Sequence, residues 1–480
     1  MSGTLPDRPI AAWQVEPAPV SVTQAIDPAR RFATLTFLRG ALVAVAITLI
    51  AGFLAALYSI PALAPAMQSI GLDMRQLRPI HTVFATSWIF LGAAAVVYRF
   101  LEDQGGPATS GDRWRLRVQV LSWAGAGAGI LGTLLLRIGS GREYVGFHPA
   151  FSLLIVVGWI CYVWNVYRVI GRSFWQQPIY VMMWGVALFF FLYTFAEQHA
   201  YLLPGVFADP VHDLRVQWKA TGTLVGSFNL FVYGTIIYVG GLIAGDDTYC
   251  HSKTAYALFF VGLLNSFTNF GHHTYHLPQS AWVNWIAFVV SMTEIIVLAR
   301  AVHDLWCLVR ANDPRPFSAT RACFTAAKWW TVAILFSSVL ISIPPLNAVI
   351  HGTYVVTGHA MGATIGIDTM ILLGGVFWVL GEFLGRRGLP VTRTALDTRN
   401  MRRIIIGLNL GVAALVVWLH VSGLVTAIHR AALAPNESYV APAWLGASSG
   451  IMFALTGAVV IVFFALLLAR VMPRAFAARA

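Results

Sequence analysis

The stretch HGTYVVTGHAMG, residues 351–362, places the ionisable His359 inside an otherwise apolar segment of helical length. Met361 follows two residues later, and His351 precedes His359 by eight residues. At about 100° per residue, side chains two positions apart point to opposite sides of an α-helix. One helix can therefore offer ligands to groups on both of its flanks, provided that its surroundings hold such groups.

The composition of the chain is that of a membrane protein. Of its 480 residues, 58% are hydrophobic and 11% are charged, whereas an average soluble domain has about 25% charged residues. Apolar runs of about 20 residues, enough to cross a bilayer, recur along nearly the whole sequence. We therefore expect an all-α, polytopic protein that lies in a lipid bilayer and has no sizeable soluble domain.

The order of apolar runs and basic loops predicts a topology. Counting apolar runs between polar breaks gives about twelve spans, and the excess of Arg and Lys on one side places both termini in the cytoplasm. The predicted regions are a tail, 1–33, a transmembrane domain, 34–471, and a second tail, 472–480. The predicted spans are 34–60, 79–101, 115–137, 149–171, 178–203, 214–244, 252–276, 280–308, 320–343, 347–381, 402–427 and 442–471.

The net charge and the cysteines exclude several classes of protein. The formal charge of +12 is explained by basic residues that retain loops in the cytoplasm, so we expect no nucleic-acid partner. The four cysteines are scattered, and no two of them form a CxxC or CxxCH motif. The sequence therefore predicts neither a disulfide framework nor a covalently attached haem c.

Four histidines converge on one level of the predicted membrane domain. His81 begins the second span, His272 and His273 lie at the outer end of the seventh, and His359 lies near the outer end of the tenth. Ionisable residues at membrane depth usually have a function. Imidazole is the commonest metal ligand, and haem iron takes axial His or Met. The sequence therefore predicts a metal or haem centre in the outer third of the membrane.

In these residues the chain resembles the catalytic subunit of the haem–copper oxidase superfamily. It most resembles the nitric oxide reductase large (cytochrome b) subunit, with similarity to C-family cytochrome c oxidases. The matching pieces are LRPIHT around His81, QW at 217–218, GHH at 271–273 and HGT-x5-HAM at 351–361. The resemblance covers essentially the whole chain and implies a haem-binding core of twelve helices.

The resemblance implies two haems b with separate ligands. His81 and Met361 are the expected axial ligands of a low-spin haem b, where the family usually has a second histidine instead of Met361. His359 is expected to hold a high-spin haem b. His351 lies two turns outward from His359 and is expected near the outer edge of a cofactor, where propionates sit.

The resemblance also implies a second metal, non-haem iron or copper, that faces the high-spin haem. His272, His273 and Glu294 are its expected ligands, and Glu294 is in addition a candidate catalytic residue. A lone buried glutamate that serves only as a hydrogen-bond partner is the alternative for Glu294. Glu197, Lys219 and Asp368 are candidates for a proton path.

Three further positions depart from the family pattern. The third ligand of the second metal falls at Gly222, the reductase glutamate one turn later falls at Gly226, and the tyrosine of C-family oxidases falls at Ser266. Lys219, one turn before Gly222, is a hypothetical ligand or proton donor in compensation. The alternative is a lysine that extends to the membrane interface.

We therefore expect a nitric oxide reductase-like enzyme that reduces NO to N2O in a bacterial inner membrane. A membrane-anchored cytochrome c subunit is the expected electron donor, because the chain has no CxxCH motif of its own. One alternative is a terminal oxygen reductase, which the serine at 266 disfavours. The other is a divergent haem protein (a sensor, an electron-transfer module or other NO chemistry) that lacks a complete second-metal site.

Overall fold

The protein is almost entirely helical. The computed structural model describes residues 27–171, 173–268, 270–385, 394–433 and 437–479. Within these ranges the only strand-like pairing is an isolated bridge between Gly139 and Phe147. The long helices are α1 (Pro28–Tyr58), α2 (Met74–Gln104), α3 (Ser110–Leu135), α4 (Ala150–Ile170), α5 (Ile179–Gln198), α6 (Pro210–Ala244), α7 (Lys253–Thr268), α8 (Ala281–Asn312), α9 (Ala319–Ser342), α10 (Tyr354–Leu384), α11 (Arg399–Ala431) and α12 (Ala443–Ala477).

The predicted fold class, an all-α polytopic membrane protein, is confirmed. Eleven helices of the described ranges are long and apolar enough to cross a membrane. The remaining long helix, α7, has 16 residues and corresponds to the predicted span 252–276. The four-residue helix Phe270–His273 continues this segment, and residue 269 between the two lies outside the described ranges. The twelfth span therefore stays a prediction.

Several helices begin before the predicted spans because polar residues cap them. The Asp27 side chain accepts a hydrogen bond from the backbone of α1 at Ala29, and Asp209 caps α6 in the same way. Asp73 and Gln76 form a capping box at the start of α2. Such caps satisfy backbone N–H groups that have no partner within the helix. The apolar runs thus mark the lipid-facing part of each helix and not its first turn.

The predicted tails are shorter in the structure than in the sequence interpretation. Residues 1–26 and 480 lie outside the described ranges. In the described part, α1 already begins at Pro28 and α12 continues to Ala477. The cytoplasmic location of both tails stays a prediction.

The long helices form three rings of neighbours that share members. The first ring is α1, α2, α10, α11 and α12; the second is α6, α7, α8, α9 and α10; the third is α2, α3, α4, α5 and α6. Aromatic side chains fill the space enclosed by the third ring of helices. There the indole of Trp159 stacks on the phenyl group of Phe191, with centroids 3.7 Å apart, and meets Phe90 edge-on. Except for Glu197 on α5, the candidate site residues lie on or beside the helices of the first two rings.

One helix of these rings changes its winding beside the HAM motif. Residues Tyr354–Met361 of α10 are α-helical, and Gly362–Thr369 form a π-helix. Segments of π-helix are rare and occur frequently at functional sites. Because His359 and Met361 precede the π-segment, their opposite orientation follows from regular α-helical geometry.

Candidate functional site

His81 is held on α2 by a backbone contact from α1. Its Nδ1 lies 2.9 Å from the carbonyl oxygen of Thr48. Since a carbonyl only accepts hydrogen bonds, Nδ1 carries the proton and Nε2 keeps its lone pair. A side chain at Gly52 would place a Cβ 2.5 Å from the same imidazole, so this glycine makes room for the ring. Metal-ligating histidines commonly have this anchored Nδ1–H.

His359 has an equivalent anchor on α9. Its Nδ1 lies 3.0 Å from Oγ of Ser337, and the Ser337 hydroxyl donates to the carbonyl oxygen of Ile334 at 3.2 Å. Because that hydroxyl gives its only proton to Ile334, it accepts one from His359. Nε2 of His359 is therefore the nitrogen with a free lone pair, as a haem ligand requires.

Met361 belongs to the flank of α10 opposite His359 and is packed partly buried against the apolar core. It is seven residues past Tyr354, where α10 begins, and His81 is seven residues past Met74, where α2 begins. Both helices belong to the first ring, which is the arrangement expected for two ligands of one haem.

His272 and His273 form a close pair beside the second ring. Their ring centroids lie 4.4 Å apart, on the short helix that precedes α8. Nδ1 of His272 lies 3.1 Å from Oγ of Ser291 on α8. Both histidines interact electrostatically with His359. The structure therefore brings together the three histidines that the sequence assigned to the high-spin haem and the second metal.

Of the positions that depart from the family pattern, Gly222 packs against this pair. A Cβ at Gly222 of α6 would lie 2.6 Å from Cδ2 of His273, so the imidazole occupies the space of a third ligand. One turn later, Gly226 packs against Ser266 of α7. The Ser266 hydroxyl donates to the carbonyl oxygen of Gly262 at 2.8 Å. Neither of these two positions supplies a phenol.

Glu294 is buried in the second ring, but its contacts differ from those of a metal ligand. One carboxylate oxygen accepts a hydrogen bond from the Tyr233 hydroxyl at 3.2 Å, and the other accepts one from the Asn265 amide. Asn265 in turn accepts a hydrogen bond from Ser291 at 3.1 Å, and Ser291 contacts His272. Asn265 and Ser291 lie between its carboxyl group and His272, and the ligand role expected for Glu294 stays a prediction.

Within the described ranges no group of three or more His, Cys, Asp and Glu side chains is arranged to hold a metal ion. His272 and His273 are two imidazoles without a third such ligand. Asp368 of the π-segment interacts electrostatically with Glu294 and Tyr233. It is a second buried carboxyl group near the hydrogen bonds that link Glu294, Asn265, Ser291 and His272.

The partners of Lys219 lie on α5. Its ammonium forms an ion pair with Glu197 and a 2.7 Å hydrogen bond to the Tyr193 hydroxyl, both on α5. Its side chain is 26% exposed. A metal ligand must be a neutral amine, whereas this ion pair is the contact of a charged one. The ligand role hypothesised for Lys219 stays a prediction. The pairing joins residues far apart along the chain, which the local sequence does not reveal.

A second histidine pair lies at the outer edge of the second ring. His276 and His351 stack with ring centroids 4.3 Å apart, and His351 interacts electrostatically with His273. Burial lowers the pKa of His351 to about 4, and His276 adds to this shift. Nδ1 of His351 is enclosed without a hydrogen-bond partner in the described part of the chain. The location of His351 near a haem propionate stays a prediction.

Sequence reasoning missed four residues that support the site: Ser337, Ser291, Asn265 and His276. Only His276 carried a usable signal, because it follows His273 by three residues in GHHTYH and such spacing places both on one helical face. A single serine or asparagine in an apolar helix predicts no particular partner.

Comparison with known proteins decides the family. The family model described as "Cytochrome C and Quinol oxidase polypeptide I" matches residues 33–460. The chain belongs to this family. A cryo-EM structure described as a heme-copper terminal oxidase dimer shares the fold, with a TM-score of 0.72 at 16% sequence identity, covering 95% of this chain and 85% of the other. No curated protein sequence matches the chain.

As a cytochrome c and quinol oxidase polypeptide I family member, the protein is a multi-pass membrane haem oxidoreductase. The family implies haem cofactors, a second metal, a gaseous substrate and redox partners such as cytochrome c. The anchored imidazoles of His81 and His359 fit axial ligation of haem iron. For the second metal, the described residues supply the imidazoles of His272 and His273 and no third ligand of the expected types. The fit is therefore complete for haem and incomplete for the second metal.

Proposed function

We propose that this chain reduces nitric oxide to nitrous oxide at a high-spin haem b held by His359. The observation that carries the proposal is Ser266, which packs against Gly226 and occupies the position where C-family oxidases place a tyrosine. A buried carboxyl group, Glu294, is in the same ring instead. Two NO molecules, two electrons and two protons give N2O and water, so the site must receive protons but needs no phenol for O–O cleavage.

His81 and Met361 are the proposed ligands of a low-spin haem b that passes electrons to the site. Bound haem supplies the redox chemistry, and the protein contributes ligands, orientation and exclusion of water. Ser337 orients His359, and Ser291 orients His272. The apolar helices around the second ring exclude water from the space between them.

The histidine pair His272–His273 is the proposed polar face opposite the haem. With a non-haem iron or copper bound, these two imidazoles would be its ligands from this chain. Because a third ligand is missing among the described residues, we assign no step of the reaction to that metal. Lys219 is excluded from our proposal for this site by its pairing with Glu197.

The proposed electron donor is a membrane-anchored cytochrome c subunit, and the proposed location is a bacterial inner membrane. The absence of a CxxCH motif from the sequence supports a donor on another chain. The redox partners implied by the family support a cytochrome as that donor.

Gas consumption by the purified protein tests the function. Under anaerobic conditions with a chemical reductant and a c-type cytochrome, we expect NO consumption with one N2O formed for each two NO molecules consumed. His359→Ala is expected to abolish it and to keep the low-spin haem. Oxygen uptake without N2O formation would identify a terminal oxygen reductase, the class to which the matched solved structure belongs. Neither activity in a fully haem-loaded protein would identify a divergent haem protein.

A further inference from the structure

The hydrogen bonds between Glu294 and His272 run in one direction. Asn265 donates its amide N–H to Glu294 and accepts a proton from the Ser291 hydroxyl at 3.1 Å, and Ser291 lies 3.1 Å from Nδ1 of His272. Glu294 and Asn265 are each only 6% exposed. Buried polar groups of this kind require partners, and each contact in the chain constrains the next.

The direction of these hydrogen bonds fixes the tautomer of His272. The Glu294 carboxyl oxygen accepts from the Asn265 amide, so Asn265 turns its NH2 group toward Glu294 and its oxygen toward Ser291. The Ser291 hydroxyl must then donate to Asn265 and accept from His272. His272 therefore carries its proton on Nδ1, and Nε2 presents a lone pair.

We propose that Glu294 is a positioning residue for His272. Through Asn265 and Ser291, its carboxylate holds the imidazole in the tautomer that turns the Nε2 lone pair toward the group bound at His359. This inference rests on the proposed haem at His359, but not on NO being the substrate. Outer hydrogen-bond partners of this kind fix ring orientation and increase the basicity of the free nitrogen.

Replacement of Glu294 by glutamine leaves one acceptor oxygen for two donors, the Tyr233 hydroxyl and the Asn265 amide. The introduced amide can donate to the Asn265 oxygen once Asn265 has turned over, so that the NH2 group of Asn265 then faces Ser291. The Ser291 hydroxyl is thereby released to donate to Nδ1 of His272, and the proton moves to Nε2. A glutamate that serves only to fill space or to bind Tyr233 has no such effect on His272.

Carbon monoxide bound to the ferrous high-spin haem reports which tautomer is present. An N–H directed at the CO oxygen strengthens back-donation from iron and lowers the C–O stretching wavenumber, whereas a lone pair does not. We expect Glu294→Gln to shift the infrared C–O band of the haem-loaded protein to lower wavenumber. Ser291→Val, which frees Nδ1, should give two bands, and Ser291→Thr, which keeps the hydroxyl, should retain the wild-type band.

Two controls make the outcome decisive. Thr293→Val alters an exposed hydroxyl on the same helix that bonds to the Val289 carbonyl, and it should leave the band unchanged. His272→Leu should shift the band, since His272 is the sensor. Wild-type bands in both Glu294→Gln and Ser291→Val, or no response to His272→Leu, would overturn the inference while the haem site stands. Absence of any CO complex in the wild type would instead overturn the proposed haem at His359.

Discussion

Oγ of Ser337 lies 3.0 Å from Nδ1 of His359 and donates its own proton to the Ile334 carbonyl. The same relation links Ser291 to His272 and Asn265. In both cases the serine hydroxyl donates its proton to an oxygen acceptor. It can therefore only accept a hydrogen bond from the imidazole. His359 and His272 therefore both present Nε2, and each is held by a hydrogen bond from Nδ1 to a serine hydroxyl.

Ser337→Ala should weaken the bond between His359 and the high-spin haem iron. Loss of an outer partner of a ligating histidine costs about 10- to 100-fold in metal affinity, because the ring becomes free to rotate and less basic. We expect a lower iron–histidine stretching frequency in the resonance Raman spectrum of the ferrous protein. Ser337→Thr keeps the hydroxyl and should preserve the frequency. An unchanged frequency in Ser337→Ala would contradict the anchor.

Gly52→Ala should displace His81 and deplete the low-spin haem. The new Cβ would lie 2.5 Å from Nδ1 and 2.8 Å from Cε1 of the imidazole, so the ring must leave the Thr48 carbonyl. Gly40→Ala on the same helix is the matched control, since its Cβ meets only Leu91 at 3.6 Å. Total haem content and the low-spin absorption bands measure the result. A full low-spin spectrum in Gly52→Ala would rule out His81 as the ligand.

The sequence predicted the helical class, because apolar periodicity acts over whole helices. The convergence of His81 with His272, His273 and His359 at one level of the membrane stays a prediction. The sequence also predicted that His359 and Met361 face apart, since α10 is regular up to Met361. The π-segment that follows carries no sequence signal, because its winding depends on packing against neighbouring helices.

The sequence could not predict two sets of contacts, for a different reason. These are the hydrogen bonds that link Glu294 to His272 and the ion pair between Lys219 and Glu197. Asn265 and Ser291 come from two different helices, and Glu197, the partner of Lys219, comes from a third. Such partners are set by how helices pack. A single sequence records which residue types are present, and it does not record which of them meet.

Lys219→Met should leave haem content and turnover unchanged. The ammonium pairs with Glu197 on α5, so we expect its loss to remove an ion pair and no ligand. A partly exposed pair of this kind contributes on the order of 1 kcal/mol or less to stability. Thermal unfolding should therefore change little, and Glu197→Gln should behave alike. A large loss of turnover with intact haem would restore a role for Lys219 at the site.

Met361 as an axial ligand should give the low-spin haem a more positive midpoint potential than a bis-histidine haem b. Thioether ligation favours ferrous iron, as in His–Met cytochromes. Met361→His should lower the potential and remove the sulfur-to-iron charge-transfer band of the ferric protein. A redox titration of both proteins, with optical detection of the low-spin bands, measures this. Equal potentials in wild type and Met361→His would exclude methionine ligation.

The His351–His276 stack should make the folded protein sensitive to acid. Burial lowers the pKa of folded His351 to about 4, whereas an unfolded histidine titrates at about 6.5. Between these pH values the unfolded chain binds more protons than the folded one, so stability falls as pH decreases through this window. In detergent, the midpoint of thermal unfolding should decline from about pH 7 to about pH 4, and His351→Gln should make that decline shallower. His212→Gln, at an exposed position, should retain the wild-type slope; an equal slope in His351→Gln would show that His351 does not titrate with folding.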